Sequence, residues 1–168
     1  MILVTLGTQD KSFDRLLKAI DDKLADGTVT DEVVVQAGLT QFKSDRMKIY
    51  DFVEYDEFDS LIKSCDILIT HGGVGSIVTG LKNKKKVIAA ARLKQYGEHT
   101  NDHQLQIIEN FANAGYILEL SDFSKLHEVV AKAKVFEPGE YVSNRDNFVS
   151  LIERLIEEPK RKKKKNKS

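Results

Sequence analysis

The stretch Asp66-Ile-Leu-Ile-Thr-His71-Gly-Gly-Val-Gly-Ser76 constrains this chain more than any other. Residues 67–70 form an apolar run of strand length, and the glycines behind it stop that strand and open a helix. A helix N-terminus offers unpaired N–H groups and the positive end of the peptide dipole, so it suits an anion. Glycine there lets the backbone approach a diphosphate with no Cβ in the way. About one strand later comes Gly97-Glu98-His99-Thr100-Asn101-Asp102-His103-Gln104, a dense polar cluster where the next strand should end. In open α/β sheets, ligands bind outside the carboxyl ends of the strands. Two such loops on one rim point to a nucleotide carrying a polar group.

The rest of the chain repeats the same alternation. Residues 2–6 predict a buried strand, broken by Gly7-Thr8-Gln9-Asp10. Phe13, Leu16, Leu17, Ile20 and Leu24 follow helical spacing, with Ser12 as N-cap and Gly27 at the end. Further strands are predicted at residues 32–37, 48–53, 87–91 and 116–120. Helices are predicted around Phe58, Leu61 and Ile62, over 77–82, and along Leu105, Ile108 and Ala112 with Gly115 behind them. Two more follow at 125–133 and 145–158. Strands alternating with helices imply an α/β fold, a parallel sheet with helices on both faces. Right-handed crossovers then gather the strand-to-helix loops on one rim.

At 168 residues the chain suits one domain, over residues 1–158, with a basic tail at 159–168. The formal net charge is zero, but residues 160–168 hold seven positive charges and no acid. Without them, 19 basic residues face 26 acidic ones, so the body carries −7. An acidic body is a poor general nucleic-acid binder. The tail reads either as an attraction to anionic lipid or as a solvated end without a specific partner. One cysteine, Cys65, leaves no room for an internal disulfide, and no Cys/His spacing fits a zinc site. The N-terminus lacks the charge and apolar length of a signal peptide, and no run reaches the ~20 apolar residues of a membrane span. A reducing, cytoplasmic setting is expected.

Each motif has a plainer reading. Gly7-Thr8-Gln9 fits neither the P-loop nor the G-x-G-x-x-G pattern, and alone it is a common strand-to-helix turn. His71-Gly-Gly-Val-Gly-Ser76 also fails G-x-G-x-x-G, because Val78 stands at the last position. Three glycines in four residues beside an imidazole and a hydroxyl still favour phosphate contact over a tight turn with a satisfied histidine. Residues 98–104 read as a solvated loop whose Asn101 or Asp102 caps a helix, or as a polar ligand contact. A metal site there is weaker, since the H-E-x-x-H pattern is absent. No D-x-D occurs anywhere in the chain, so no metal is expected on a diphosphate. Tyr50-Asp51-Phe52-Val53-Glu54-Tyr55 brings three aromatics to the same rim, and its plainer reading is a strand end packing into the core.

Taken together, these pieces resemble the C-terminal, nucleotide-sugar-binding half of MurG-like GT-B glycosyltransferases over residues 1–120. Asp51-Phe52-Val53, then Cys65-Asp66-Ile-Leu-Ile-Thr-His-Gly-Gly, is similar to their uracil-clamp and phosphate-helix segments. Asn101-Asp102-His103-Gln104 is similar to their sugar-reading motif. Short stand-alone versions resemble the chain most. They include the small soluble subunit of the dolichol-linked GlcNAc transferase and bacterial capsule and exopolysaccharide subunits. Tyr96-Gly97-Glu98-His99 before Asn-Asp-His-Gln makes the bacterial form the better fit.

The resemblance implies a single Rossmann-like GT-B half-domain. It assigns Gly7, Thr8, His71, Gly73, Gly75 and Ser76 to phosphates, Phe52 and Val53 to uracil, and Asn101, Asp102 and Gln104 to hexose hydroxyls. The ribose position, usually Glu, is Thr79 here; prolines usual around the next strand are replaced by Lys86 and Ala91. The implied activity is the donor-binding part of a bipartite, inverting, metal-independent transferase. It would pass a hexose from UDP-hexose to a lipid-diphosphate-linked acceptor at the inner face of the cell membrane. UDP-galactose and UDP-GlcNAc are the donors the resemblance brings forward. A membrane-associated partner would carry the N-terminal GT-B half, and Glu98 and His99 are the only local candidates for a base. The competing reading is a non-catalytic UDP-sugar-binding or enhancer module. A generic flavodoxin-like nucleotide binder is disfavoured by the uracil and hexose motifs.

Overall fold

The computed structural model describes residues 1–142. The predicted helix at 145–158 and the basic tail lie outside the described residues, as does the domain boundary at 158. Six strands and five α-helices follow in order, alternating except that β2 runs to β3 without a helix: β1 Ile2–Thr5, α1 Asp14–Ala25, β2 Val33–Gln36, β3 Lys48–Tyr50, α2 Tyr55–Ser64, β4 Ile67–His71, α3 Val74–Lys82, β5 Lys86–Ala90, α4 His103–Asn113, β6 Leu118–Glu119 and α5 Leu126–Val135. All strand pairs are parallel, in the order β3-β2-β1-β4-β5-β6. This is the Rossmann-like arrangement. Its strand order reverses between β1 and β4, the point where such sheets open a crevice.

Side chains on a strand alternate between faces, so each strand feeds two cores. Ile2, Val4, Val33, Val35, Ile67 and Ile69 pack with Leu16, Leu17 and Ile20 of α1 and Val130 of α5. Leu3, Val34 and Leu68 pack on the other side with Ile62 of α2, Ile77 and Leu81 of α3, and Ile108 and Phe111 of α4. The two-sided burial explains why β1, β2 and β4 read as unbroken apolar runs. Gly80 of α3 lies on the sheet, where a Cβ would come 2.6 Å from Val87 and 2.8 Å from Leu68. No helix among the described residues is long and apolar enough to cross a membrane.

Three local expectations are corrected. Ser12 does not cap α1: its hydroxyl donates to Asp14, and the Phe13 N–H is accepted by Thr40 Oγ1 across the loop after β2. Leu105 is 40 % exposed, and the buried face of α4 is Gln104, Ile108 and Phe111. The third strand stops at Tyr50, and Tyr50, Phe52 and Tyr55 stay exposed instead of joining the core.

Candidate functional site

The carboxyl ends of β1 and β4 run in register, Thr5 beside Thr70, and the Thr5 hydroxyl donates to that of Thr70 at 3.0 Å. One residue beyond Thr70, His71 ends β4 beside the turn that follows β1. Gly7 has φ +76°, and a Cβ there would lie 2.5 Å from His71 Nε2. Gly73 caps α3 with extended backbone, and its Cβ would lie 2.4 Å from His71 Cε1. Both glycines are therefore demanded by the imidazole they cover. Gly75 differs. It sits in the first turn of α3, and a Cβ there would meet nothing within 4 Å. Packing gives no reason for glycine at this position, whereas a ligand on the helix N-terminus would.

His71 is 7 % exposed. Burial first, then the Arg92 guanidinium, pushes its pKa down to about 4, although the bond to Gln104 acts the other way. The ring is thus neutral near pH 7 and offers one N–H. Its Nε2 lies 3.3 Å from Ser76 Oγ, and its Nδ1 lies 3.1 Å from Gln104 Nε2.

The uracil candidates come next along the rim. A Cβ on Gly38 would approach the Gly7 carbonyl to 2.6 Å and Phe52 to 3.8 Å, so Gly38 joins the β1 turn to the aromatic bend. Phe52 is 55 % exposed with its ring on this rim. The Val53 N–H, assigned to the uracil edge, instead donates to Gln36 Oε1 at 3.2 Å. Thr79 donates its hydroxyl to the Gly75 carbonyl within α3, a common use of threonine inside a helix, so its hydroxyl proton is already engaged. Thr8 is exposed beside Gly7.

The loop after β5 departs most from the sequence reading. Glu98 is 2 % exposed and holds Arg15 at 2.8 and 3.0 Å, while also accepting the Leu93 N–H. Arg15 is stacked between Tyr96 and Phe123, at 4.2 and 4.0 Å from their ring centres. Glu98, a candidate base in the sequence, thus has both oxygens engaged by Arg15, in an ion pair that is buried at the glutamate, half-buried at the arginine, and ties the loop to α1. Gln104, assigned to hexose hydroxyls, is engaged likewise. It is 4 % exposed; its Oε1 accepts from Gly72 N–H and Arg92 N–H, and its Nε2 faces His71. Asn101 accepts the His103 N–H, and Asp102 accepts the Lys94 N–H. Asp102 remains exposed and Asn101 half-buried. His99 is half-buried, accepts the Asn101 N–H on Nδ1 and touches Gln9 with Nε2 at 3.4 Å, which brings it beside the β1 turn.

Arg92 and Arg15 had no motif to announce them. Arg92 is wholly buried and donates to the carbonyls of Leu6, Lys11 and Glu98, joining the ends of β1 and β5. A basic residue directly after an apolar strand was the one available signal. Among the described residues, no group of three or more His, Cys, Asp or Glu side chains is placed to hold a metal ion.

The model of the glycosyltransferase family 28 C-terminal domain matches residues 1–166. A UDP-N-acetylglucosamine transferase subunit, ALG13, from Candida albicans is 27% identical over 110 residues, 66% of this chain and 32% of the relative. The subunit of the same name from Candida glabrata is 42% identical over 55 residues, 32% of this chain and 25% of the relative. The chain thus spans a third or less of the length of these curated relatives. Among solved structures, the solution structure of ALG13 superposes with a TM-score of 0.60 at 18% identity, covering 89% of this chain and 93% of that one. The calicheamicin glycosyltransferase CalG4 superposes at 0.59 with 16% identity, covering 80% of this chain and 33% of that one. The fold is therefore that of a GT-B glycosyltransferase half-domain.

Proposed function

Because this chain belongs to the glycosyltransferase family 28 C-terminal domain family, we propose that it is the donor-binding subunit of a bipartite UDP-hexose glycosyltransferase. The observation that carries this reading is Gly75, a glycine without a packing reason on a helix N-terminus, beside a buried neutral imidazole at the switch point of the sheet. Diphosphate oxygens would take the open N–H groups of α3, the Ser76 hydroxyl and the backbone at Gly7 and Gly73, with Thr8 at the edge. The exposed Phe52 ring would flank uracil across Gly38. Asn101 and Asp102 would face the hexose.

The mechanism is electrostatic. As the sugar–phosphate bond breaks, negative charge grows on the departing UDP. Donors already aimed at that charge stabilise it without reorganising. The chain supplies them from its own backbone, His71 and Ser76, so the reading requires no metal. A base must still activate the acceptor hydroxyl. With Glu98 locked to Arg15, His99 is the remaining local candidate, and a partner carrying the N-terminal GT-B half would supply the base and the wall for a lipid-linked acceptor. That partner would hold the chain at the inner face of the membrane, helped by the basic tail. The same locked Glu98 favours the second reading, a non-catalytic UDP-sugar-binding module that enhances another transferase.

A thermal-shift series tests the donor site. UDP should raise the melting temperature, with EDTA present or absent, because a ligand specific to the folded state stabilises it by mass action. ADP and GDP should do less. Equal shifts with all three would remove the uracil assignment, and a shift lost in EDTA would remove metal independence. Transfer assays with and without a membrane partner, on wild type and His99→Ala, separate the catalytic from the enhancer reading.

A further inference from the structure

We propose that Gln104 sets the direction of a hydrogen-bond chain ending at the phosphate turn, so that His71 donates to Ser76 and the Ser76 hydroxyl donates to an anion bound there. The proposal rests on the reading of that turn as a diphosphate site and assigns Gln104 a positioning role within it.

The direction follows from which groups can only donate. The backbone N–H groups of Gly72 and Arg92 lie 2.9 and 3.0 Å from one terminal atom of Gln104. A backbone N–H cannot accept, so that atom is the amide oxygen and the other is the NH2 group. The NH2 nitrogen lies 3.1 Å from His71 Nδ1. An amide N–H cannot accept either, so Nδ1 must be the bare nitrogen of the ring. The neutral imidazole then carries its proton on Nε2, 3.3 Å from Ser76 Oγ. The serine oxygen accepts the hydrogen bond from that N–H, which leaves its own hydroxyl proton to turn outward. Every bond in the chain points the same way, and each polarises the next.

Packing holds the chain in place. Gln104 stands in the first turn of α4, and a Cβ on Gly72 would come within 2.7 Å of its Cβ. Gly7 and Gly73 leave Nε2 uncovered by any side chain of their own. The charged and titratable groups that act on the ring are Arg92, from the end of β5, and His99, from the following loop; both oppose its protonation. The ring is therefore left with one proton, and Gln104 decides which nitrogen bears it.

Gln104→Glu reverses the device at nearly constant shape. One carboxylate oxygen still accepts from Gly72 and Arg92, but the other can only accept from the ring. The proton moves to Nδ1, Nε2 becomes an acceptor, and the Ser76 hydroxyl turns inward to it and away from the anion. Long-range 1H–15N correlation spectra of 15N-histidine-labelled protein, with His71 assigned by its loss in His71→Gln, read the two nitrogens directly. Wild type should show His71 protonated on Nε2 before any ligand is added. A ring protonated on Nδ1, or averaging between the two, overturns the proposal even if the variant fails to fold. In Q104E, spectra against pH give the range where the ring holds its single proton on Nδ1. UDP affinity in that range should fall about tenfold or more, the size of one hydrogen bond to a charged group. Affinity within twofold of wild type in that range overturns the donor role. Wild type that binds no UDP refutes the proposed function instead and leaves the tautomer result to be judged by itself.

Discussion

The turn after β4 and the loop after β5 lie on the same rim and look alike in sequence, each a polar or glycine-rich run behind a buried strand. Their side chains are spent differently. In the β5 loop Glu98 holds Arg15 and the Leu93 N–H, Asp102 holds the Lys94 N–H, and just beyond it, in the first turn of α4, Gln104 holds two backbone N–H groups and His71. In the β4 turn the backbone of α3 is left open, and Gly75 faces space. Dense polarity marks a loop that binds itself together as readily as one that binds a ligand. A glycine with no packing reason is the better sign of a ligand, because only an absent atom explains it.

Four changes test that contrast, from the largest effect down. Glu98→Ala removes the acceptor of two hydrogen bonds from the half-buried Arg15 and one from the Leu93 N–H, and should cost about 3 to 5 kcal/mol, the scale of several hydrogen bonds to a charged group, measured by denaturant unfolding. Replacing the pair together, Arg15→Met with Glu98→Leu, should recover most of that loss. No loss in Glu98→Ala would return Glu98 to the ligand-facing class.

The second effect is acid sensitivity of the β4 turn. His71 has a folded pKa near 4 against 6.5 for the free side chain. Between those values the unfolded chain binds the proton and the folded chain does not. Its contribution is therefore intact above pH 6.5 and is lost as pH falls toward 4, by about 3 kcal/mol in total. His71→Gln should remove that share of the slope, seen as the difference between wild-type and variant stability from pH 7 to 4. Identical slopes would mean the ring is not held neutral.

The third is Ser76→Ala, which should weaken UDP binding by about 1.5 kcal/mol, the scale of a hydrogen bond to a charged group, with little change in melting temperature. An unchanged UDP affinity in calorimetry would confine Ser76 to the fold. The smallest is Asp102→Ala. Loss of the Lys94 N–H acceptor should cost about 1 kcal/mol of stability. If Asp102 also faces the hexose, UDP-hexose affinity falls while UDP affinity holds, and equal affinities in paired titrations would place it with the self-bound side chains of its loop.

The fold was legible because both faces of the sheet are buried: apolar runs at β1, β2 and β4, each followed by a turn and a helical stripe, admit few other arrangements. The phosphate turn was legible for the same reason, as glycines at a strand end have few uses. The β5 loop was not. Nothing local to Glu98 shows that Arg15, 83 residues away, comes to lie against it, or that Gln104 will reach back to Gly72. The period admits Leu105 to the buried face of α4, yet the polar Gln104 takes that place, since its amide is satisfied inside. For the Tyr50, Phe52 and Tyr55 bend the plainer reading, a strand end packed into the core, does not hold, because the strand ends too early to bury it.

The central claim is that the β4 turn, with its open glycine, is the nucleotide site. Titrating UDP calorimetrically into wild type and Gly75→Val, in EDTA, tests it most directly. Valine suits a helix at least as well as glycine, and a Cβ at this position meets nothing within 4 Å, so the variant should melt no lower than wild type. UDP should bind wild type, and its binding to the variant should fall below detection. Equal UDP affinity in the two folded proteins would contradict the account, because a side chain would then occupy the space reserved for the diphosphate at no cost.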